Sequence, residues 1–201
     1  MSPTDPAPRG PSTSRLQRRW RGTLALALVL CLPGAARADD AVGEYEVKAA
    51  FIFNIAKYAK WPAAAFSDAS APLVIGVLGK DPFGGTLDRI VQNRQIEGRR
   101  VVIRRGSSPG EMRGCHLVFI ADTERDRIAG HCTVLENMGV LTVGDAPERV
   151  TAIVFYLDGS RLSFSVSLAA LDRAQVQISA KLLKLAKEVT RQPGGATVRI
   201  E

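Results

Sequence analysis

Three aspartates stand where the chain leaves apolar segments, a position from which a carboxylate can reach a bound ligand. Asp81, Asp122 and Asp145 each follow shortly after a run that reads as a buried strand. In open α/β sheets, ligands bind in the crevice beyond the carboxyl ends of the strands. The sequence therefore predicts a ligand crevice lined by these three residues, with helix or turn capping as the alternative role for each.

Two adjacent Cys and His pairs supply the other reactive side chains. Cys115-His116 and His131-Cys132 contain suitable zinc ligands, but neighbours on a strand point to opposite faces, which disfavours a shared metal. A disulfide between Cys115 and Cys132 is a second possibility in an oxidising compartment. Because Cys115 would begin a strand and Cys132 would lie midway along the returning helix, the two are offset along the sheet. We therefore predict two buried thiols without a bridge.

Sequence signatures of catalysis are absent from the chain. It has no Gly-x-Ser-x-Gly elbow, no Walker loop and no His-Glu-x-x-His helix. The segment Gly76–Gly79 follows an apolar run but lacks the third glycine of a dinucleotide-binding loop. We therefore predict no catalytic residues and no cofactor, with an enzyme acting through Asp122 or Asp145 as the weakest alternative.

The first residues have the layout of an export signal. A basic segment at Arg15–Arg21 precedes a short apolar run, and Ala36–Ala38 then offers small residues where a signal peptidase requires them. The apolar run is too short to span a bilayer. The sequence thus predicts a signal peptide over residues 1–38, cleaved before Asp39, and a single α/β domain over residues 39–201.

Most of the net positive charge of the chain lies in the predicted signal peptide. The full chain carries 27 basic and 20 acidic residues, a net charge of +7, while residues 1–38 hold six Arg and one Asp. The exported part therefore has a net charge of 21 − 19 = +2. Such a small excess gives no reason to expect a nucleic-acid partner.

Strand and helix patterns alternate through the exported part, which predicts a three-layer α/β/α fold with a mostly parallel central sheet. The predicted helices cover 44–61, 81–94 and 123–137, and the predicted strands cover 73–78, 100–105, 115–121 and 140–143.

The end of the chain follows a different pattern. Asp158-Gly159 lies between two apolar stretches, 152–157 and 161–167, which predicts an antiparallel hairpin. Ser179 is a suitable N-cap for an amphipathic helix predicted over residues 181–190.

Several spaced blocks resemble YfiR-type periplasmic proteins over nearly the whole exported part. They are Phe51–Tyr58 leading into Trp61-Pro62, Cys115–Ile120, Val140–Asp145 and Ile178–Ala186. Two positions differ from the family pattern: Val150–Ala152 replaces paired glycines, and Ser167 replaces an Asn.

This resemblance implies a regulator that works by binding. It implies a periplasmic protein that inhibits a membrane-bound diguanylate cyclase through the cyclase's periplasmic sensor region, lowering cyclic di-GMP and biofilm formation. It also implies an outer-membrane lipoprotein that sequesters the inhibitor. The alternative is a periplasmic sensor module that binds a small molecule and has no cyclase partner.

The aromatic residues of the first helix suggest where a partner binds. Phe51, Ile55 and Tyr58 share one face, which we assign to the core. Phe53 lies about 200° round the helix from Phe51 and is predicted to face outward. An outward aromatic is a candidate anchor for a partner protein or a homodimer; the alternative is that a loop or the last helix covers Phe53.

Overall fold

The fold is a mixed α/β arrangement in which most strands run parallel. The computed structural model describes residues 36–145, 150–191 and 197–199. Its helices are α1 Ala36–Tyr58, α2 Thr86–Val91, α3 Ile128–Asn137, α4 Leu168–Arg173 and α5 Ala180–Leu183. Its strands are β1 Ala59–Lys60, β2 Leu73–Leu78, β3 Gln95–Ile96, β4 Arg99–Gly106, β5 Leu117–Ile120, β6 Leu141–Gly144, β7 Ile153–Asp158, β8 Arg161–Ser167, β9 Gln177–Ile178, β10 Glu188–Thr190 and β11 Thr197–Arg199.

Within these residues nine strands form one sheet in the order β11-β10-β8-β7-β6-β5-β2-β4-β3. The run from β4 through β2, β5 and β6 to β7 is parallel, whereas β7 and β8 form an antiparallel hairpin. Gly159 adopts a φ of 64° in the turn of this hairpin, a left-handed conformation that glycine accepts without strain. The predicted α/β fold with a mostly parallel sheet and a hairpin is confirmed.

Alternating side chains of the strands build two cores, one on each face of the sheet. In β2, Leu73, Ile75 and Val77 pack under α1 and α2. Val74 and Leu78 point to the other face, where α3 packs. Strands buried on both faces need almost wholly apolar sequences, as β2 and β5 have. Helices therefore cover both faces, as the three-layer prediction requires.

The helix predicted over residues 181–190 is wrong in its second half. Ser179 caps a single turn, α5, by accepting a hydrogen bond from the Leu182 backbone N–H at 3.4 Å. The chain then becomes strand β10, which pairs in parallel with β8. The free edge of β8 accounts for this change. Its backbone groups offer residues 188–190 hydrogen bonds in a strand, and these stabilise the chain more than the weak helical propensity of the segment does.

Two predicted helices are shorter than their sequence patterns. The one predicted over 81–94 is helical only in α2, since residues 81–85 form turns that include Gly84 at a φ of 54°. The one predicted over 123–137 begins as a 3₁₀ segment, Asp122–Arg127, and becomes α3 at Ile128. Helix α4 follows the hairpin without having been predicted; Ser167 caps it by accepting from the Ala170 backbone N–H at 3.4 Å.

Phe53 does not face outward, so the prediction of an exposed anchor at this residue is wrong. Its side chain is only 7% exposed, and the Arg94 guanidinium covers its ring at 5.1 Å from the centroid. Phe51, on the other flank of α1, contacts the rings of Phe155 and Phe164 at about 6 Å. The sheet is wide enough to cover both flanks of α1, whereas the prediction assumed a single narrow apolar stripe.

The predicted signal peptide lies outside the described residues except for Ala36–Ala38, which begin α1. In the part of the chain that the structure describes, no helix has the length and apolarity needed to cross a bilayer.

Candidate functional site

A polar cleft lies beyond the carboxyl ends of β5 and β6, near the predicted crevice. Its volume is about 510 Å³, and Glu44, Tyr45 and Lys48 in the middle of α1 and residues 154–157 of β7 form two of its walls. The parallel order of β5 and β6 places the residues that follow both strands at the same edge of the sheet. The lining residues are Glu44, Tyr45, Lys48, Asp122, Arg125, Asp145 and Val154–Leu157.

A buried lysine, Lys48, forms ion pairs with two carboxylates of this cleft. The Lys48 ammonium lies 2.6 Å from a Glu44 carboxylate oxygen and 2.8 Å from Oδ2 of Asp145. Burial by itself lowers the pKa of Lys48, but the hydrogen bonds to Asp145 and Glu44 outweigh this effect and raise the pKa above its ordinary value. Lys48 is therefore held as a cation inside the protein, with two carboxylates as its counter-charges.

Asp145 accepts two hydrogen bonds through one of its carboxylate oxygens. Its Oδ2 accepts from Lys48 and also from the Tyr45 hydroxyl at 3.3 Å. Its Oδ1 is buried and has no hydrogen-bond partner among the described residues. Burial and the nearby Asp145 charge both raise the pKa of Tyr45, so the phenol stays protonated as a donor. A buried carboxylate oxygen without a partner is costly, so a ligand with an N–H or O–H group would be stabilised there.

The structure brings together two of the three predicted crevice residues. Asp122 and Asp145 both line the cleft, where Asp122 forms an ion pair with Arg125. Asp81 does not reach it: one of its oxygens accepts from the Phe83 backbone N–H at 2.7 Å and the other from Nε of Arg105 at 2.6 Å. Asp81 thus has the turn-capping role that the sequence left as its alternative.

Sequence reasoning missed the other polar residues of the cleft, of which Lys48 and Tyr45 contact Asp145. A signal was present, because Lys48 is four residues before Ile52 and seven before Ile55, on the same apolar face. A lysine on a buried face needs a buried partner. The sequence did not identify that partner, since Asp145 lies 97 residues further along the chain.

The two cysteines lie apart from this cleft as buried free thiols, in agreement with the prediction. Burial raises the pKa of Cys115, and it raises the pKa of Cys132 to about 12. Both thiols are therefore protonated and unreactive near neutral pH. Across the described ranges, no group of three or more His, Cys, Asp or Glu side chains is placed to hold a metal ion.

His116 is buried at the amino end of β5 and ties three segments together. Its Nδ1 accepts a hydrogen bond from the Val74 backbone N–H at 3.1 Å, so the neutral ring carries its proton on Nε2. The ring stacks on Phe66 at 4.3 Å and meets Trp61 edge to face at 5.8 Å. Burial, together with the charge of Arg99, holds the pKa of His116 below its ordinary value of 6.5.

This arrangement predicts that the protein loses stability in mild acid. A histidine whose pKa is depressed by folding contributes stability above its unfolded pKa, and that stability is lost as the pH falls below about 6.5. His116→Gln retains an acceptor for the Val74 N–H but does not titrate. We expect a smaller fall in the free energy of unfolding between about pH 6.5 and pH 5 for the variant, measured by urea titration. Equal falls in both proteins would contradict this role of His116.

An exposed apolar surface lies beside the cleft. Val47 on α1 is 46% exposed and Leu157 on β7 is 55% exposed, and both line a groove of about 520 Å³ together with Leu162. We call Val47, Leu157 and Leu162 the α1–hairpin groove. Exposed apolar side chains that adjoin one another are typical of protein-binding surfaces.

Comparison with known proteins assigns the chain to a family. A search of curated proteins found no match. The family model described as YfiR/HmsC-like matches residues 45–187, which include α1 from Tyr45 onward, strands β1 to β9 and all of the cleft-lining residues except Glu44. This family consists of periplasmic, non-catalytic proteins that regulate cyclic di-GMP signalling. Because the match covers most of the chain, the protein belongs to the YfiR/HmsC-like family of periplasmic regulators.

Proposed function

We propose that this protein is exported, cleaved before Asp39, and holds a membrane-bound diguanylate cyclase inactive by binding the cyclase's periplasmic sensor region. The family match over residues 45–187 is the observation that carries this proposal. Inhibition by binding alone requires that the protein prefer the inactive state of the cyclase. An outer-membrane lipoprotein that sequesters the protein would relieve the inhibition by mass action.

The α1–hairpin groove is the contact surface that we propose for the cyclase. Phe53 is not available, whereas Val47 and Leu157 are exposed side by side. Burying apolar side chains from both partners provides binding free energy without any catalytic group. A second copy of this chain is the alternative occupant of the groove.

Deletion of the gene is expected to raise cellular cyclic di-GMP, and the wild-type gene is expected to restore the lower level. Complementation with Val47→Asp should fail to restore it, because a charge in the groove opposes burial. Val134→Asp is a matched control, since Val134 is 41% exposed on a different helix, α3. An unchanged cyclic di-GMP level in the deletion strain would exclude the proposed function.

The same complementation distinguishes the proposed surface from other surfaces. If Val47→Asp and Val134→Asp both restore the low level, the groove is not the contact surface. Sedimentation of the purified protein shows whether the groove binds the cyclase or a second copy of this chain. A homodimer that uses the groove would dissociate in Val47→Asp in the absence of any cyclase.

A ligand-binding role of the cleft is a second candidate, favoured by the buried Oδ1 of Asp145, for which the described part of the chain offers no hydrogen-bond partner. We propose that Asp122 and Asp145 line a site for a small molecule with hydrogen-bond donors, while Asp81 stays bound to Arg105. A thermal-shift screen of amines and polyols should give compounds that raise the Tm of the wild type but not of Asp145→Ala. A screen in which every compound acts equally on both proteins would exclude this site.

A further inference from the structure

Four lysines lie on the segments that meet at the carboxyl end of α1. Lys57 is in the last turn of α1 and Lys60 is in β1, while Lys181 is in α5 and Lys184 ends that helix. The pairing of β1 with β9 joins the two segments, with Lys60 opposite Gln177. Within the described residues none of the four ammonium groups forms a salt bridge, whereas the nearby Lys187 is paired with Asp158.

Tyr58 lies at the centre of this cluster. The Lys181 ammonium is 5.4 Å from the centroid of its ring, and the Lys57 ammonium is 5.9 Å from it. The Ser179 backbone N–H donates to the Tyr58 carbonyl at 3.0 Å, which fixes α5 against the end of α1. Two lysines from distant parts of the chain are thus held around one half-buried aromatic ring.

A protruding leucine completes the surface. Leu185 follows Lys184 directly and is 62% exposed, the most exposed of the large apolar side chains in the described residues. A single exposed leucine is ordinary by itself. Here it follows Lys184 and is four residues from Lys181, whose ammonium lies over the Tyr58 ring. This combination of Lys, aromatic and Leu is typical of segments that lie at a membrane interface.

We propose that this surface, formed by Lys57, Tyr58, Lys60, Lys181, Lys184 and Leu185, docks on a membrane containing anionic phospholipid. The ammonium groups bind lipid phosphates, and Leu185 inserts below the headgroups. An acidic protein surface would satisfy the lysines but would place Leu185 against charged groups, so lipid fits the whole surface better. The inference does not rest on cyclase inhibition; it predicts only that the protein associates with the bilayer.

Vesicle co-sedimentation tests the proposal directly. Residues 39–201 form a compact unit of their own, so the experiment uses that unit without the apolar leader. The probes are vesicles of phosphatidylethanolamine with phosphatidylglycerol, and vesicles of phosphatidylcholine alone. We expect binding to the anionic vesicles only, and we expect added salt to weaken it.

Charge reversals with a matched control locate the surface. Lys181→Glu/Lys184→Glu should reduce the affinity for anionic vesicles at least about tenfold, since each basic residue contributes about 1 kcal/mol near an anionic membrane. Lys80→Glu/Arg100→Glu changes the net charge equally at exposed positions elsewhere, and it should bind like the wild type. Leu185→Ser should weaken binding and leave its salt dependence intact.

Two results would overturn the inference: no binding of the wild type to anionic vesicles, and equal loss of binding in both double variants. If the wild type does not bind vesicles and Lys181→Glu/Lys184→Glu loses cyclic di-GMP control, the lysines belong to the contact with an acidic protein partner. Because vesicle binding involves no cyclase, a failure here leaves the proposed inhibition unaffected, and failure of the inhibition leaves vesicle binding intact.

Discussion

Replacing Phe119 by alanine is expected to lower the free energy of unfolding by about 3–5 kcal/mol, as large aromatic truncations in cores do. Phe119 is fully buried in β5, between β2 and β6, where it stands opposite Val77 and Val143 in the strand registers. Its ring also meets that of Phe83 edge to face at 4.8 Å. Removing it leaves a cavity at the centre of the α1 side of the sheet, where backbone hydrogen bonds prevent collapse.

Phe119→Leu is the control for this measurement, because it keeps most of the volume and should cost less than about 1.5 kcal/mol. Urea or guanidinium titration followed by circular dichroism provides both values. A cost below about 1 kcal/mol for Phe119→Ala would mean that β5 does not lie at the centre of the sheet.

Lys48→Met is expected to destabilise the protein by about 3 kcal/mol, although methionine is apolar and fits a buried helix position. The substitution removes the counter-charge of Asp145, whose Oδ1 already lacks a partner among the described residues. The largely buried Asp145 carboxylate then keeps only the Tyr45 hydroxyl as a partner in the described part of the chain, so its negative charge loses most of its stabilisation. Equilibrium unfolding at neutral pH measures the effect.

Two further variants show whether the destabilisation in Lys48→Met comes from the lost ion pair or simply from replacing a lysine on α1. Lys57→Met removes an exposed lysine from the same helix, and it should change stability by less than about 0.5 kcal/mol. Adding Asp145→Asn to Lys48→Met removes the unpaired charge and should restore part of the lost stability. If Lys48→Met costs no more than Lys57→Met, the buried ion pair does not form in solution.

Local sequence determined the elements whose signals lie within a few residues of one another. The apolar runs predict β2 and β5, because a strand buried on both faces tolerates few polar side chains. Trp61-Pro62 disfavours a helix beyond residue 61, where the first predicted helix stops, but α1 already ends at Tyr58 because β1 pairs with β9. Asp158-Gly159 predicts the hairpin, since a tight turn requires residues that accept a positive φ. The blocks that indicate the family are likewise short and local.

Tertiary structure decided the features that depend on what lies beside a segment. Residues 188–190 form a strand because β8 has a free edge, although their neighbours have a helical pattern. Phe53 is buried because Arg94, from a separate segment, lies over its ring. The Lys48–Asp145 pair joins residues 97 positions apart, so neither residue reveals its partner locally. In each case the free energy comes from a contact between distant parts of the chain, which periodicity and propensity do not encode.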